Sequence, residues 1–338
     1  MPTQPVLSRR RLLAALALSA TGLAGACQAK QGSNGGQAAP SSSTSAIPGP
    51  VTSGTNGTAP AGAPPPLFEP ARGEVQVQAK RVAGRAVQQL TTYGPETSPG
   101  SVAADLLGPG RNPGKLVKAA APLLVPGATS VGEVVYGQLG GLTASAAAVM
   151  VVLRQRLSNE NGQSATTTRT LDVRLRRTGG RWVLDQLASV GGRPAARPPD
   201  LSQAARAVLD NPRIQLPDSA RWDIHRGLVE ERLLQLMQAV ATHQPYAVTV
   251  LVSGHPRNVF GTNRRSNHNV GRAVDLYLVA GHPVVGQRGR GSAAYRLAGW
   301  LDRAGPTELG SPWRFAGGGA RSFTNTVHQD HIHIGFDR

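Results

Sequence analysis

The sequence predicts an α+β protein with two folded domains, residues 70–192 and 193–338. Helical and strand periodicities occur within both ranges, and a Pro/Gly/Arg-rich stretch, residues 191–200, separates them. A length of 338 residues, of which 40% are hydrophobic, is enough for two cores. We therefore expect a smaller α+β domain, followed by a C-terminal domain with a small antiparallel sheet and flanking helices.

Residues 1–27 have the pattern of an export signal. Three arginines, beginning at Arg9, precede an apolar run that is too short to count as a mature membrane span. They also resemble a twin-arginine export motif; an ordinary secretory signal is the alternative. The run ends in "LAGAC", which resembles a bacterial lipoprotein cleavage box. This resemblance implies that Cys27 is lipidated and anchors the mature protein through its acyl chains; a stray cysteine in a signal peptide is the alternative.

Residues 28–69 are composed mainly of Gly, Ser, Thr, Ala and Pro. Such a segment cannot bury a core, so we predict a disordered tether. Behind a lipid anchor, a tether allows the folded part to reach away from the membrane. The expected location is therefore the cell envelope, on the outer face of the cytoplasmic membrane.

The formal net charge of +17 comes almost entirely from arginine, because the chain has only four lysines. This charge can attract a polyanion such as nucleic acid, anionic lipid or acidic wall polymer, or it can reflect a bias toward arginine codons. Dense basic runs with interleaved aromatic residues do not occur in the sequence. Together with the export signal, this diffuse charge predicts that nucleic acid is not a partner.

The first domain is expected to have two helices followed by an antiparallel sheet. Apolar residues from Val75 to Leu90 recur at helical spacing, and residues 112–124 form a second helical pattern. Strand patterns follow, and the last of them turns at Gly179-Gly180 as a hairpin. This order resembles the nuclear-transport-factor-two-like, or cystatin-like cone, domains of bacterial envelope proteins. Residues 70–192 contain neither His nor Cys, so we predict a spacer or a module that binds an envelope partner; a pocketed enzyme is the alternative.

The second domain alternates helices and strands around one long polar loop. Asp200 is the expected N-cap of its first helix, and residues 227–244 form an amphipathic helix. The remaining predicted elements are strands at 246–254, 272–279 and 330–336 and a helix at 292–305. The loop between the first two of these strands is long enough to suggest a functional role.

All eight histidines of the chain lie between residues 225 and 333, whereas Cys27 is the only cysteine. A cysteine-rich zinc site is therefore excluded. Side chains alternate along a strand, so Asp275 and His333 can face each other if their strands are neighbours. His268 can approach from the preceding loop. Two imidazoles and one carboxylate with an open fourth position are the arrangement of a catalytic zinc site.

The pattern S-x-H-x-x-G-x-A-x-D at residues 266–275, followed by H-x-H at 331–333, resembles the zinc D-Ala-D-Ala peptidases and their superfamily of lysostaphin-type and hedgehog-type proteins. The resemblance covers roughly residues 200–338. It implies that His268, Asp275 and His333 bind Zn²⁺. It further implies that Ser266 braces the loop through a hydrogen bond, and that residues 271 and 273 are small because backbone and metal crowd there.

The resemblance leaves the general base open between two residues. His331 is favoured, since strand alternation places it beside His333, whereas Asp330 serves either as the base or as a partner that orients a histidine. Arg257 is the expected residue that polarises the substrate carbonyl or binds its carboxylate. It lies one residue later than usual, so Arg264 and Arg265 are alternatives.

The function that follows is a cell-envelope lipoprotein acting as a zinc-dependent peptidase on peptidoglycan stem peptides. Zinc-activated water would attack an amide, as in a D,D-carboxypeptidase or an endopeptidase. The alternative is a non-catalytic, zinc-containing module of the same fold that recognises cell wall or an envelope partner.

Overall fold

In the computed structural model, residues 65–107, 111–317 and 319–337 are described. The predicted signal peptide, Cys27 and nearly all of the predicted tether lie outside these ranges. The described residues contain both helices and sheets, as the α+β prediction requires. They form two sheets, each with its own hydrophobic cluster, and both sheets belong to one compact unit.

The N-terminal lobe, residues 65–190, packs helices against a four-stranded antiparallel sheet of order β1-β2-β3-β4. Its elements are α1 (Val77–Thr91), α2 (Pro99–Leu107), α3 (Pro113–Ala120), β1 (Thr129–Leu142), β2 (Ala146–Ser158), β3 (Ser164–Thr178) and β4 (Arg181–Ser189). The predicted hairpin is confirmed, because Gly179 and Gly180 both adopt positive φ between β3 and β4. The small helix α2 was not predicted.

The C-terminal lobe, residues 201–337, is built around a seven-stranded sheet of order β10-β9-β11-β7-β6-β5, with β8 paired to β7. Its strands are β5 (Ile214–Gln215), β6 (Tyr246–Val250), β7 (Ala273–Val279), β8 (His282–Pro283), β9 (Glu308–Gly310), β10 (Arg321–Phe323) and β11 (Ile332–Gly335). Its helices are α4 (Gln203–Asp210), α5 (Asp218–His225), α6 (Glu231–His243) and α7 (Ala293–Leu301). A small antiparallel sheet was expected, and the central pairs are antiparallel, whereas the edge pairs β5–β6 and β9–β10 are parallel.

Two helix starts differ from the predictions. Ser202, not Asp200, caps α4, because its hydroxyl accepts a hydrogen bond from the backbone N–H of Ala205. The amphipathic pattern at 227–244 yields a helix only from Glu231, since Gly227 ends the preceding turn in the left-handed conformation. Helix α5 was not predicted.

The two lobes pack sheet against sheet. Tyr136 of β1 stacks on Tyr277 of β7 with ring centroids 4.6 Å apart, and both rings belong to a buried cluster that also contains Ala247 of β6. On β3, Thr170 donates a hydrogen bond to the Thr249 carbonyl at 2.5 Å. The division into two independent domains stays a prediction, but the contact places β1 directly over β7.

Candidate metal site

Three side chains of the C-terminal lobe converge on one point. The Nε2 atom of His268 lies 3.1 Å from Oδ1 of Asp275 and 3.2 Å from Nδ1 of His333, and the last two atoms are 2.9 Å apart. We call these side chains the donor triad. All three are buried, with His333 the most exposed at 9%. The structure thus brings together the three residues that the sequence motif predicted as metal ligands.

His268 is positioned by the loop before β7. It begins a short 3-10 helix, His268–Val270, and its backbone N–H donates to Oγ of Ser266 at 3.3 Å, as the predicted bracing role requires. Gly271 ends this helix at φ +73° and lies against the Leu228 carbonyl, so a Cβ here would clash with backbone. Glycine is therefore required at position 271 by the left-handed backbone and by the nearby Leu228 carbonyl. The His268 ring donates from Nδ1 to the Leu251 carbonyl at 2.7 Å, and this bond turns Nε2 toward Asp275 and His333.

Strand pairing positions the other two donors. Strands β11 and β7 are antiparallel neighbours, and His333 lies directly opposite Asp275 in their register, so the sequence prediction for these two residues is confirmed. On its far side, Nε2 of His333 lies 3.6 Å from Oε2 of Glu308 on β9. A histidine held by a carboxylate behind it is the usual arrangement around a ligand histidine.

The electrostatics favour an ionised carboxylate in the triad. Burial opposes ionisation of Asp275, but the neighbouring His268 and His331 outweigh burial and hold its pKa well below the usual value. Burial also opposes protonation of His333, yet hydrogen bonds and charges from Asp275 and Glu308 raise its pKa to about 9. A positive charge is therefore stabilised at this point, as a metal site requires.

His331 and Asp330 form a second, adjacent pair. Nδ1 of His331 donates to Oδ1 of Asp330 at 2.6 Å, while Nε2 lies 3.8 Å from Oδ2 of Asp275. Strand alternation would put Asp330 on the opposite face, but that expectation was wrong, because Asp330 precedes β11 and ends a short 3-10 turn. Asp330 therefore contacts His331 from behind rather than facing the triad. Their roles as base and orienting partner stay predictions.

The carboxylate of Asp330 is held by the N-terminal lobe. Its Oδ2 accepts from Nζ of Lys80 at 2.5 Å and from the backbone N–H of Leu139 at 2.9 Å. Lys80 is fully buried and also pairs with Glu74. Burial opposes the ionisation of Asp330, but Lys80 and His331 outweigh it and lower its pKa to about 2. Sequence reasoning missed this support, since nothing in the pattern around Lys80 marks a partner 250 residues away.

His255 is a further donor that the sequence motif did not assign. Its ring stacks on that of His268, with centroids 4.0 Å apart, and donates from Nδ1 to the Pro256 carbonyl. One nitrogen of His255, one of His268 and one oxygen of Asp275 all lie within 4.8 Å of one another, so these three residues could also hold a metal ion. Burial lowers the pKa of His255 well below its ordinary value, so its ring is neutral and able to coordinate.

Arg257, the predicted arginine, makes no hydrogen bond or ion pair with the donor triad within the described residues. Arg257 is exposed and lines a pocket with Arg174 and Phe260, on the side of the loop that faces the N-terminal lobe. Arg265, an alternative, donates to Oδ1 of Asn269 instead. The role of Arg257 therefore stays a prediction.

The donor triad fits a zinc ion by its chemistry. Ligand atoms about 2.0–2.1 Å from a tetrahedral ion lie roughly 3.3 Å from one another, close to the 2.9–3.2 Å between these donor atoms. Two imidazoles and a carboxylate are donors that zinc accepts, and cysteine is absent from the described residues. His331 lies beside the triad, with its Nε2 3.8 Å from Oδ2 of Asp275.

Comparisons with family models, with curated proteins and with solved structures find no match for this chain. Within the described ranges, every helix is too short or too polar to cross a membrane.

Proposed function

We propose that this protein is a zinc-dependent peptidase that acts on peptidoglycan stem peptides, as a D,D-carboxypeptidase or endopeptidase. The observation that carries the proposal is the convergence of His268, Asp275 and His333 within 3.2 Å of one another, beside a histidine whose Nδ1 is fixed by a carboxylate. Three protein ligands with a free fourth position are typical of catalytic rather than structural zinc sites.

Each residue of the site has a separate role in this proposal. His268, Asp275 and His333 would hold the ion, which when bound supplies Lewis acidity and a more acidic water. His331 is the proton carrier: Asp330 accepts its Nδ1–H, and this bond turns Nε2 toward Asp275 of the triad. Glu308 and the Leu251 carbonyl keep His333 and His268 in orientation.

Purified protein, loaded with zinc and incubated with whole peptidoglycan and with isolated muropeptides, tests the function. Mass analysis of the products should show loss of D-Ala or cleavage within the stem peptide, and treatment with a chelator should abolish it. Absence of stoichiometric zinc after loading, or hydrolysis that persists in the His268→Ala variant, would overturn the proposal.

The second candidate is a zinc-containing module that binds cell wall or an envelope partner without cleaving it. It is favoured by one observation: the donor triad and His331 are at most 9% exposed, because the N-terminal lobe packs against their strands. Stoichiometric zinc together with intact muropeptides, and retention of the protein on insoluble peptidoglycan, would select this candidate.

Both candidates place the protein in the cell envelope, attached through a lipid on Cys27, with peptidoglycan peptides as its partner. This part of the proposal depends on the sequence of residues 1–27. Lipidation of Cys27 is tested by globomycin-sensitive processing in a bacterial host and by mass analysis of the N-terminal peptide. The Cys27→Ala variant is expected to be released from the membrane fraction.

A further inference from the structure

Strand β1 of the N-terminal lobe runs over the face of β7 that carries the donor triad. Tyr136 and Gln138 alternate on one face of β1, as Asp275 and Tyr277 do on β7. The pairs meet: Tyr136 stacks on Tyr277, and Nε2 of Gln138 donates to Oδ2 of Asp275 at 2.6 Å. The oxygen of Asp275 that does not face the two histidines is therefore held by a residue from the other lobe.

The backbone of β1 is irregular on both sides of this contact. Its pairing with β2 shifts register between Val134 and Tyr136 and again between Leu139 and Gly141. Bulges re-aim the side chains between them and are common beside functional sites. The segment between the two shifts contributes three bonds to the site: Tyr136 donates from its hydroxyl to the Asp330 carbonyl at 3.0 Å, Gln138 to Asp275, and the Leu139 N–H to the Asp330 carboxylate.

The side chain of Gln138 makes its one hydrogen bond to the metal site and none within its own lobe. The side chain is fully buried, yet its Oε1 finds no donor among the described residues. A buried acceptor without a partner costs free energy, so a glutamine here stabilises the lobe less than an apolar residue would. Gln155 on β2 is the contrast: it is equally buried, but its amide donates to the Leu123 carbonyl and to Oγ of Ser130, inside its own lobe.

We propose that Gln138 is a positioning residue of the metal site, and that the site is shared between the two lobes. The Gln138 amide fixes Asp275 with Oδ1 turned toward His268 and His333. Lys80 fixes Asp330 behind His331 in the same way, from the same lobe. This inference rests on the proposed zinc chemistry, and it adds a part that the sequence motif does not contain, because the motif lies wholly within residues 266–333.

The test is the zinc affinity of the full chain, measured by competition with a chromophoric chelator, for Gln138→Leu and for the matched control Gln155→Leu. Both replacements remove a buried amide from the same sheet. Changing a residue that orients a metal ligand costs about 10–100-fold in metal affinity, so Gln138→Leu should weaken zinc binding by at least tenfold while Gln155→Leu leaves it within about twofold of the parent.

The outcomes separate this inference from the proposed function. A parent chain that binds zinc and cleaves muropeptides, with a Gln138→Leu variant of equal zinc affinity, overturns the positioning role alone. A parent that binds no zinc overturns both. Equal losses in Gln138→Leu and Gln155→Leu would mean that the sheet acts only through its stability, and would also overturn the role. Lys80 is not the first choice for substitution, since its loss leaves two buried carboxylates without a cation; if Gln138→Leu does not fold, Gln138→Met with Gln155→Met repeats the comparison.

Discussion

The two sheets of this protein use buried polar residues in different ways. In the C-terminal lobe, Asp275, Glu308 and His333 from the neighbouring strands β7, β9 and β11 meet His268 from the loop before β7. In the N-terminal sheet no histidine occurs, and its buried polar residues either close bonds within the lobe, as Gln155 does, or reach across to the other sheet, as Gln138 does. The comparison teaches that one lobe carries the donor triad and the sheet of the other lobe supplies residues that bond to the site.

The largest effect is expected from His268→Ala. Mutation of a residue that only orients a metal ligand already costs about 10–100-fold in metal affinity. Loss of a ligand itself should therefore weaken zinc binding by more than about 100-fold and reduce hydrolysis to background. Chelator competition and product analysis measure both. His282→Ala is the control, since His282 is an exposed histidine on β8 of the same sheet. If the two variants behave alike, the C-terminal sheet does not carry the site.

His331→Ala should reduce turnover while zinc remains bound. A positioned proton carrier contributes about 10²–10⁴-fold in rate, and His331 lies beside the triad without being one of its three closely spaced donors. Steady-state kinetics on a muropeptide, together with zinc stoichiometry, separate the two roles. Loss of zinc in this variant would show that His331 is a ligand, and would add a donor from the residue just before β11 to the site.

Asp330→Asn should change the acid stability of the protein. Because the folded-state pKa of Asp330 is lowered to about 2, its ionised form stabilises the fold above its unfolded pKa, and this contribution is lost as the pH falls toward 2. The contribution is about 2 kcal/mol at neutral pH. Denaturant unfolding at pH 7 and at pH 3 should therefore show a smaller difference for the variant than for the parent. An unchanged difference would show that the bond between Lys80 and Asp330 does not link the lobes.

The smallest effect is expected from Arg257→Ala. The side chain is exposed, and it lines a pocket rather than bonding to the donor triad. A donor at the reacting oxygen would be worth about 10²–10³-fold in kcat, whereas we expect less than about a tenfold loss, with Arg264→Ala as the exposed control. A loss in the higher range would place the substrate between the lobes, beside Phe260.

Much of the site could be predicted from local pattern. The spacing of His268 and Asp275 crosses one loop and enters one strand, and His331 and His333 alternate within the predicted strand at 330–336, so periodicity was enough to propose three donors. The pairing of β7 with β11 then followed from the requirement that the donors meet. The position of Asp330 could not be predicted this way, because a short 3-10 turn breaks the alternation just before β11.

The sequence by itself indicated most of the main elements and the three residues of the donor triad, because hydrophobic periodicity and a motif within residues 266–333 are local properties. The tertiary structure alone decided which residues support those donors. Lys80 and Gln138 carry no local signal, and their partners lie 250 and 137 residues further along the chain. Such contacts depend on how the two sheets pack. This packing brings together residues that are far apart in the sequence and share no motif.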